Sequence, residues 1–422
     1  MLEPQSTALF LILMAVFGGL VCWMVVARHV VFRVLAACLA FIPAMLFGVA
    51  AVNKYYNYYQ TWGAIAADLS SQGTATLPKV PQFTRGKKPA DRELGLSAPL
   101  RAEAAQTGYL FQTQVTGQRS HITRTVFIYL PPQYFQKQYG HYRFPVLELL
   151  HGSPGDPEQW VSVMNVIPTF TDLIATRKAA PVVLVMPDTD GGRTYSLQCL
   201  NVPGGIQDET YLAVDVPDYI AAHWQVQPPG RAWGLAGYSE GGYCTANIAL
   251  QEPRRYGYAG VMSGYFSPSA DRVPRGNKPG APPVTVNPFR GEPALRAKNT
   301  PRVYINQIPP WTQLPQFWLA AGRLDGGDVR AAVEFRQLLM LHQAVVPLDI
   351  VGNGGHNATV WRAALRPMLT WMTPKLAQRA RSADTAVAAA QRRKALQARA
   401  GTRAAQQARP PGRHGKAGIP VP

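Results

Sequence analysis

A serine set between two glycines is the first residue of this sequence that could act as a nucleophile. Residues 237–241 are Gly-Tyr-Ser-Glu-Gly, with Ser239 at the centre. An apolar run from Ala232 to Ala236 precedes them, and the helix-like segment YCTANIAL follows. A strand, a sharp turn and a helix in this order hold a serine hydroxyl clear of a sheet, where it can attack a carbonyl carbon. The pattern predicts that Ser239 is a nucleophile.

A base must remove the serine proton before the hydroxyl becomes an effective nucleophile. Three histidines follow Ser239 in the chain, His342, His356 and His414. His342 lies in a helix-like stretch and His414 in a low-complexity tail. His356 lies in the glycine-rich segment GNGGHNATVW, directly after the strand-like VPLDIV. Loops positioned by a rigid scaffold commonly carry catalytic residues, and we therefore predict that His356 is the base.

An acidic residue should orient the histidine ring. In enzymes with this serine turn, the acid lies between the serine and the histidine in the chain. The strand-like QFWLAAG is followed by a loop that contains Asp325 and Asp328. Asp325 is closer to the strand and is the predicted acid, with Asp328 as the alternative. Asp188 and Asp190 also follow a strand-like run, but they precede the serine, so we expect them to shape a loop near the site.

Two backbone N–H groups should stabilise the negative oxygen of a tetrahedral intermediate. One belongs to the residue after the nucleophile, Glu240, and the other to the loop after an earlier strand. That loop is His151-Gly152-Ser153-Pro154-Gly155, after FPVLELL. Because Pro154 has no N–H, Ser153 is the predicted second donor. His151 precedes the nucleophile and is expected to orient the loop.

The elements that must position these residues extend over residues 106–373. TGYLFQTQVT and HITRTVFIYL alternate in the manner of paired strands, while FPVLELL and PVVLVM are continuous apolar runs typical of buried strands. Helix-like stretches such as ETYLAVDVPDYIAAHW intervene. The alternation predicts an α/β fold with a mostly parallel central sheet and helices on both faces.

Two uncharged apolar segments, residues 8–27 and 34–52, precede this domain. Each is long enough to cross a bilayer as a helix, which predicts a transmembrane hairpin over residues 1–53. A cleaved signal peptide is the competing interpretation. Arg28 and Arg33 lie between the segments, and positive loops favour the cytoplasmic side. The catalytic domain is then expected outside the plasma membrane, joined by a juxtamembrane segment and linker at 54–105.

Basic residues outnumber acidic ones, 42 against 24, for a net charge of +18. Much of the excess lies in residues 374–422, a low-complexity Ala/Arg/Gln segment that we predict to be a largely disordered tail. No nucleic-acid-binding module accompanies the charge. For a membrane-tethered chain, an anionic lipid or an anionic polymer is the expected partner of the tail.

Four cysteines are present. Cys22 and Cys38 lie within the apolar segments, whereas Cys199 and Cys244 lie in the catalytic region without the spacing of a zinc site. Two interpretations stay open for the second pair: a disulfide, if the domain lies outside the cytoplasm, or two buried thiols.

Four motifs, in this order, carry a resemblance to a known group of enzymes: LLHGSPGDPEQW, GYSEGGYCTANIAL, LAAGRLDGGD and GGHNATVWRAALRPMLTW. Together they resemble the esterase D and antigen-85-like branch of the α/β-hydrolase superfamily over residues 106–373. The membrane hairpin is similar to those of envelope esterases of high-GC Gram-positive bacteria. The resemblance implies the α/β-hydrolase fold and ester hydrolysis or acyl transfer with a Ser–acid–His triad, without metal or cofactor. Mycolyltransferases of the antigen 85 type use a glutamate as the acid, so the aspartates here favour a plain esterase.

The resulting hypothesis is a membrane-anchored, extracytoplasmic serine esterase that acts through an acyl-enzyme. Its substrate is expected to be an envelope lipid or an acylated glycan, because of its location. One alternative is an acyltransferase that moves the acyl group to an envelope sugar or lipid. The other is a non-catalytic envelope-binding protein on the same fold.

Overall fold

The structure is a computed structural model of the 422-residue chain. It describes residues 3–56, 59, 61, 62, 65, 94–191, 196–271, 273, 274 and 285–407. Most of the predicted linker, residues 66–93, and the end of the predicted tail, residues 408–422, lie outside the described residues.

Two apolar helices begin the chain, α1 (Thr7–Val26) and α2 (Val30–Tyr56). Ser6 caps α1 by accepting a hydrogen bond from the Leu9 N–H at 3.3 Å. Between the helices, Arg33 Nε donates to the Ala27 carbonyl oxygen at 2.8 Å. The mean hydropathy of the two spans is 2.7 and 2.4. By length and composition, both helices are able to cross a membrane.

A central sheet of eight strands forms the core of the remaining chain, in the order β1-β2-β4-β3-β5-β6-β9-β10. The strands are β1 (Tyr109–Thr116), β2 (Thr123–Leu130), β3 (Val146–Leu150), β4 (Val183–Pro187), β5 (Gly230–Tyr238), β6 (Tyr256–Met262), β9 (Gln316–Gly322) and β10 (Leu348–Val351). A separate ribbon pairs β7 (Val273–Pro274) with β8 (Thr285–Val286). β2 pairs antiparallel with both of its neighbours, β1 and β4. The other neighbouring strands of this sheet, in the order β4, β3, β5, β6, β9 and β10, pair in parallel. The predicted mostly parallel sheet is confirmed.

Helices pack on both faces of the sheet. In chain order they are α3 (Ala98–Thr107), α4 (Gln159–Ser162), α5 (Val166–Ala175), α6 (Asp208–Thr210), α7 (Val216–His223), α8 (Glu240–Gln251), α9 (Pro293–Lys298), α10 (Pro301–Tyr304), α11 (Gly326–Leu341) and α12 (Ala358–Gln407). A π-helical turn, Tyr211–Asp215, links α6 to α7, and 3-10 turns occur at Pro132–Phe135, Lys137–Tyr139 and Ile305–Gln307. α5 and α12 cover one face, and α7, α8 and α11 cover the other. All five residues of β3 are buried because both faces are covered.

Helix α12 corrects the predicted boundary at residue 373 and the predicted disorder of the tail. The helix runs for 50 residues without interruption to Gln407. Leu376, Ala377 and Ala380 are buried in it, so its apolar stripe continues past residue 373. Ala and Arg favour helix, and this docking lets the helix propagate into the exposed residues that follow. The prediction is therefore wrong for residues 374–407.

Helix α3 shows that the folded domain begins before residue 106, the predicted boundary. Ser97 caps it by accepting from the Leu100 N–H at 3.4 Å. Ala104 is buried in the core together with Leu94. The end of the predicted linker is thus part of the folded domain.

Candidate active site

The turn at Ser239 is held by close backbone packing between β5 and α8. Ser239 has φ 54° and ψ −121°. This backbone conformation is strained for a residue with a side chain and persists only where the surrounding structure holds it. Its N–H donates to the Met262 carbonyl oxygen at 2.9 Å. A side chain at Gly237 would collide with the Gly241 carbonyl, and one at Gly241 with the Leu150 carbonyl. Both glycines of the motif are therefore required by close approach of the backbone.

Ser239 is hydrogen-bonded to His356, which in turn is hydrogen-bonded to an aspartate. The distance from Ser239 Oγ to His356 Nε2 is 2.8 Å, and that from His356 Nδ1 to Asp328 Oδ2 is 2.7 Å. The ring also packs edge-on against Trp361, with the ring centroids 5.4 Å apart. The side chains of His356 and Asp328 are 24% and 15% exposed, so the site opens to solvent.

The structure corrects the predicted acid. Asp328, the alternative, contacts the imidazole, whereas Asp325 Oδ2 is 3.8 Å from His356 Nδ1. Asp325 caps helix α11 by accepting from the N–H groups of Gly327 and Asp328, at 3.1 and 3.0 Å. The chain turns into the helix directly after Asp325, and the first helical turn directs Asp328 at the ring. Closeness in sequence to the end of β9 therefore did not identify the aspartate that contacts His356.

Burial against His356 has an electrostatic consequence for Asp328. Desolvation raises its pKa above the usual range, in spite of the hydrogen bond from the imidazole.

The donor atoms of Asp325, Asp328 and His356 all lie within 4.8 Å of one another, as in some metal sites. However, both nitrogens of His356 already take part in hydrogen bonds to Ser239 and Asp328. The arrangement is therefore suited to proton transfer from the serine.

The two predicted oxyanion donors lie on segments that meet at Ser239. Glu240 is the first residue of α8, a position at which the backbone N–H has no partner within the helix. A Cβ at Gly152 would lie 3.1 Å from the Ser239 Cβ, so the loop that contains Ser153 lies against the nucleophile.

His151 is fully buried beneath this loop, as its predicted orienting role requires. Its Nε2 accepts from the Thr189 N–H at 3.0 Å, and its Nδ1 lies 2.9 Å from the Gly152 carbonyl oxygen. These two contacts fix the neutral tautomer with the proton on Nδ1. His151 therefore ties the loop of Ser153 to the segment after β4.

Asp188 and Asp190 shape that segment, as the sequence predicts. Asp188 Oδ1 accepts from the N–H groups of Asp190 and Gly191, at 2.9 and 2.6 Å. Asp190 Oδ1 accepts from the Leu197 N–H at 3.1 Å.

A disulfide joins Cys199 to Cys244, with the Cα atoms 5.6 Å apart. Of the two interpretations that the sequence left open, the structure has the bond. Cys244 lies one turn into α8 from Glu240, so the bond attaches residues 196–199 to the helix that follows the nucleophile. Cys22 and Cys38 are exposed on the apolar helices.

Comparisons with known proteins identify the family of the chain. The family model named Esterase matches residues 118–372, which is more than half of the chain. An uncharacterized protein of Corynebacterium glutamicum is 27% identical over 354 residues, covering 81% of this chain and 76% of that protein. The MPT51/MPB51 antigen of Mycobacterium tuberculosis is 30% identical over 125 residues, 29% of this chain and 38% of the antigen.

A solved ferulic acid esterase has the same fold. It superimposes with a TM-score of 0.52 at 20% identity, and the match covers 64% of this chain and 98% of that esterase. The predicted likeness to the esterase D and antigen-85-like branch, and the α/β-hydrolase fold, are confirmed. The chain therefore belongs to the Esterase family.

Proposed function

We propose that the protein is a membrane-anchored serine esterase that hydrolyses its substrate through an acyl-enzyme on Ser239. The observation that carries the proposal is the continuous hydrogen-bonded chain from Ser239 Oγ through the His356 ring to Asp328. A serine, a base and an orienting acid in this geometry are the requirements for an activated hydroxyl nucleophile.

In the first half-reaction, Ser239 Oγ attacks the ester carbonyl carbon while His356 Nε2 takes the hydroxyl proton. The tetrahedral intermediate collapses, the bond to the alcohol oxygen breaks, and His356 returns the proton to the leaving alcohol. Water then attacks the acyl-serine in the same way, which releases the acid and restores Ser239. Asp328 keeps the proton of neutral His356 on Nδ1 and stabilises the imidazolium that forms.

The backbone N–H groups of Glu240 and Ser153 are the proposed oxyanion donors. Support comes from the position of Glu240 as the first residue of α8. The close approach of Gly152 to Ser239 supports the second donor. Preorganised donors of this kind act where charge develops, so they stabilise the transition state more than the bound ester.

Labelling with a fluorophosphonate probe tests the assignment directly, since an activated serine hydroxyl displaces fluoride from the probe and becomes phosphonylated. We expect the wild type to be labelled at Ser239 and Ser239→Ala to show no label. Ser382→Ala, which removes an exposed hydroxyl on α12, is the matched control and should be labelled as the wild type is. Equal labelling of the Ser239→Ala and wild-type proteins would reject the proposed nucleophile. If Ser239 is labelled as expected, activity against a panel of lipid esters and short acyl esters defines the substrate class.

Anchoring by α1 and α2 places the enzyme beside lipid, and we propose an envelope lipid or acylated glycan as its substrate. Arg28 and Arg33 between the helices favour a cytoplasmic loop, so both chain ends would face outward. The Cys199–Cys244 bond supports the same side of the membrane, because disulfides persist in oxidising compartments.

The state of the four cysteines tests this location. In protein purified from membranes without reductant and alkylated after denaturation, we expect a crosslinked peptide that contains Cys199 and Cys244. Cys22 and Cys38 should be alkylated in the same sample and serve as internal controls. Quantitative alkylation of all four cysteines would instead indicate a reducing compartment and a cytoplasmic domain.

The basic end of α12 is the proposed contact with anionic lipid. α12 begins next to His356 and crosses the sheet to the opposite edge, where Gln227 Nε2 donates to Asp384 Oδ1 at 2.7 Å. Residues 385–407 contain five basic and no acidic residues and extend the helix by about 35 Å. α3 leads into β1 at the same edge of the sheet, because β1 runs antiparallel to β2 and β2 to β4. The polypeptide from the membrane and the basic helix thus share one edge of the domain, which favours a lipid surface over a distant polymer.

A further inference from the structure

Glu240 directly follows the proposed nucleophile, yet the residue is buried, with only 5% of its surface exposed. Its Oε2 is hydrogen-bonded to Ser196 Oγ, and its Oε1 accepts from the Gln198 N–H at 3.3 Å. The Tyr265 hydroxyl lies 3.5 Å from Oε2. The carboxyl group therefore contacts two segments that are distant from it in the sequence.

The segment 196–199 is attached twice to one face of α8. Glu240 contacts Ser196 and Gln198, and Cys244, four residues later, is bonded to Cys199. Residues four apart on a helix are neighbours on its surface. Gln198 and Cys199 have positive φ values of 54° and 49°, a backbone conformation that needs external restraint. The two attachments supply that restraint.

Gln198 transmits the restraint to a third segment. Its Oε1 accepts from the N–H groups of Ser269 and Ala270, at 2.6 and 3.1 Å, and its Nε2 donates to the Ala270 carbonyl oxygen at 2.9 Å. The Glu240 side chain thus anchors the elbow to residues 196–199 and, through Gln198, to residues 269–270.

No lysine or arginine forms an ion pair with Glu240 among the residues that the structure describes. Among the described residues, the titratable groups that face it include Asp190 after β4, His151 after β3 and Tyr265 after β6, together with Tyr243 on the same helix. His151 accepts a hydrogen bond from the Thr189 N–H at Nε2 and faces the carboxyl groups of Asp188 and Asp190 as well as that of Glu240. A buried carboxylate here would face a second carboxyl group, that of Asp190.

We propose that Glu240 is a positioning residue whose neutral carboxylic acid holds the elbow amide toward the oxyanion. The proposal rests on the oxyanion role given above to the Glu240 N–H. A neutral acid can donate its proton to Ser196 Oγ and still accept from the Gln198 N–H, so the anchor is complete without charge. An ionised carboxylate on this residue would oppose the negative charge that develops on the substrate oxygen.

The proposal has a consequence for pH dependence. Burial, reinforced by Asp190, raises the pKa of Glu240 to about 8. The neutral form therefore predominates at pH 7 and is lost as the pH rises through 8. If only the neutral form is fully active, wild-type kcat should fall about tenfold between pH 7 and pH 9.

Four variants of the full-length protein test this proposal through pH profiles of kcat and KM. Glu240→Gln keeps a neutral group of the same shape, so kcat at pH 7 should stay within about threefold of the wild type, and the loss above pH 8 should disappear. Asp190→Asn removes the facing carboxyl, which lowers the pKa of Glu240 and moves the loss to lower pH. Glu240→Ala removes the anchor and should lower kcat roughly 10- to 100-fold with little change in KM.

Glu148→Gln is the matched control. Burial raises the pKa of Glu148 to about 8 as well, but its carboxylate is bonded to Tyr256 OH within the sheet, at 2.9 Å. This variant should keep the alkaline loss of activity. Retention of that loss in Glu240→Gln, or wild-type kcat in Glu240→Ala, would overturn the proposal. If Glu240→Ala does not fold, the Glu240→Gln profile alone decides. Activity in Ser239→Ala would reject the proposed function itself, so the two failures are distinguishable.

Discussion

Replacement of Ser239 by alanine is expected to lower kcat by roughly 10⁴- to 10⁶-fold while the fold stays intact. In the proposed mechanism the hydroxyl oxygen forms the acyl bond, and it is also the atom hydrogen-bonded to His356 Nε2, 2.8 Å away. Alanine fits the turn without new contacts, because the collisions that define the turn involve Gly237 and Gly241.

His356→Ala should cause a loss of the same order, since residues that act as one unit give non-additive effects. The double variant should therefore be little worse than either single variant. The measurement is kcat on a chromogenic ester with circular dichroism to verify folding. Multiplicative losses in the double variant would show that the two side chains act independently and would contradict the proposed triad.

The second large effect is expected at Asp328. Asp328→Asn should lower kcat by about 10⁴-fold, because the amide can donate to Nδ1 and so favour the wrong tautomer of His356. The imidazolium that forms during catalysis also loses its negative partner, which lies 2.7 Å from Nδ1 in the wild type. KM should change little, since the aspartate stabilises the transition state through His356.

Asp325→Asn is the matched control, with the same chemical change three residues earlier. Its oxygen can still cap α11, so we expect kcat within a few-fold of the wild type and a small loss of stability, below about 1 kcal/mol. Steady-state kinetics and thermal melts of both variants separate catalytic from structural effects. A larger kcat loss in Asp325→Asn than in Asp328→Asn would return the role of the acid to Asp325.

Local sequence patterns were sufficient to predict the class of fold and to select the proposed nucleophile and base. The elbow at Ser239 requires glycines at close backbone contacts, and these appear as a fixed pentapeptide. His356 follows a buried strand in a glycine-rich loop, which is again a local signal. The apolar runs of β3 and β4 indicated burial on both faces, because burial depends on side-chain type at each position.

Tertiary structure alone decided which side chains meet. Asp328 and His356 are 28 residues apart and meet because β9 and β10 are parallel neighbours and α11 begins at the end of that pairing. Ser196 and Glu240 are 44 residues apart, and neither belongs to a recognisable motif with the other. The same holds for the docking of residues 376–380, whose apolar stripe is too short to stand out in an Ala/Arg-rich sequence. A sequence pattern encodes the backbone conformation and burial of its own segment. The distance between side chains on separate segments depends on how those segments pack. Asp325 and Asp328 are about one helical turn apart, and that difference decides which of them contacts His356.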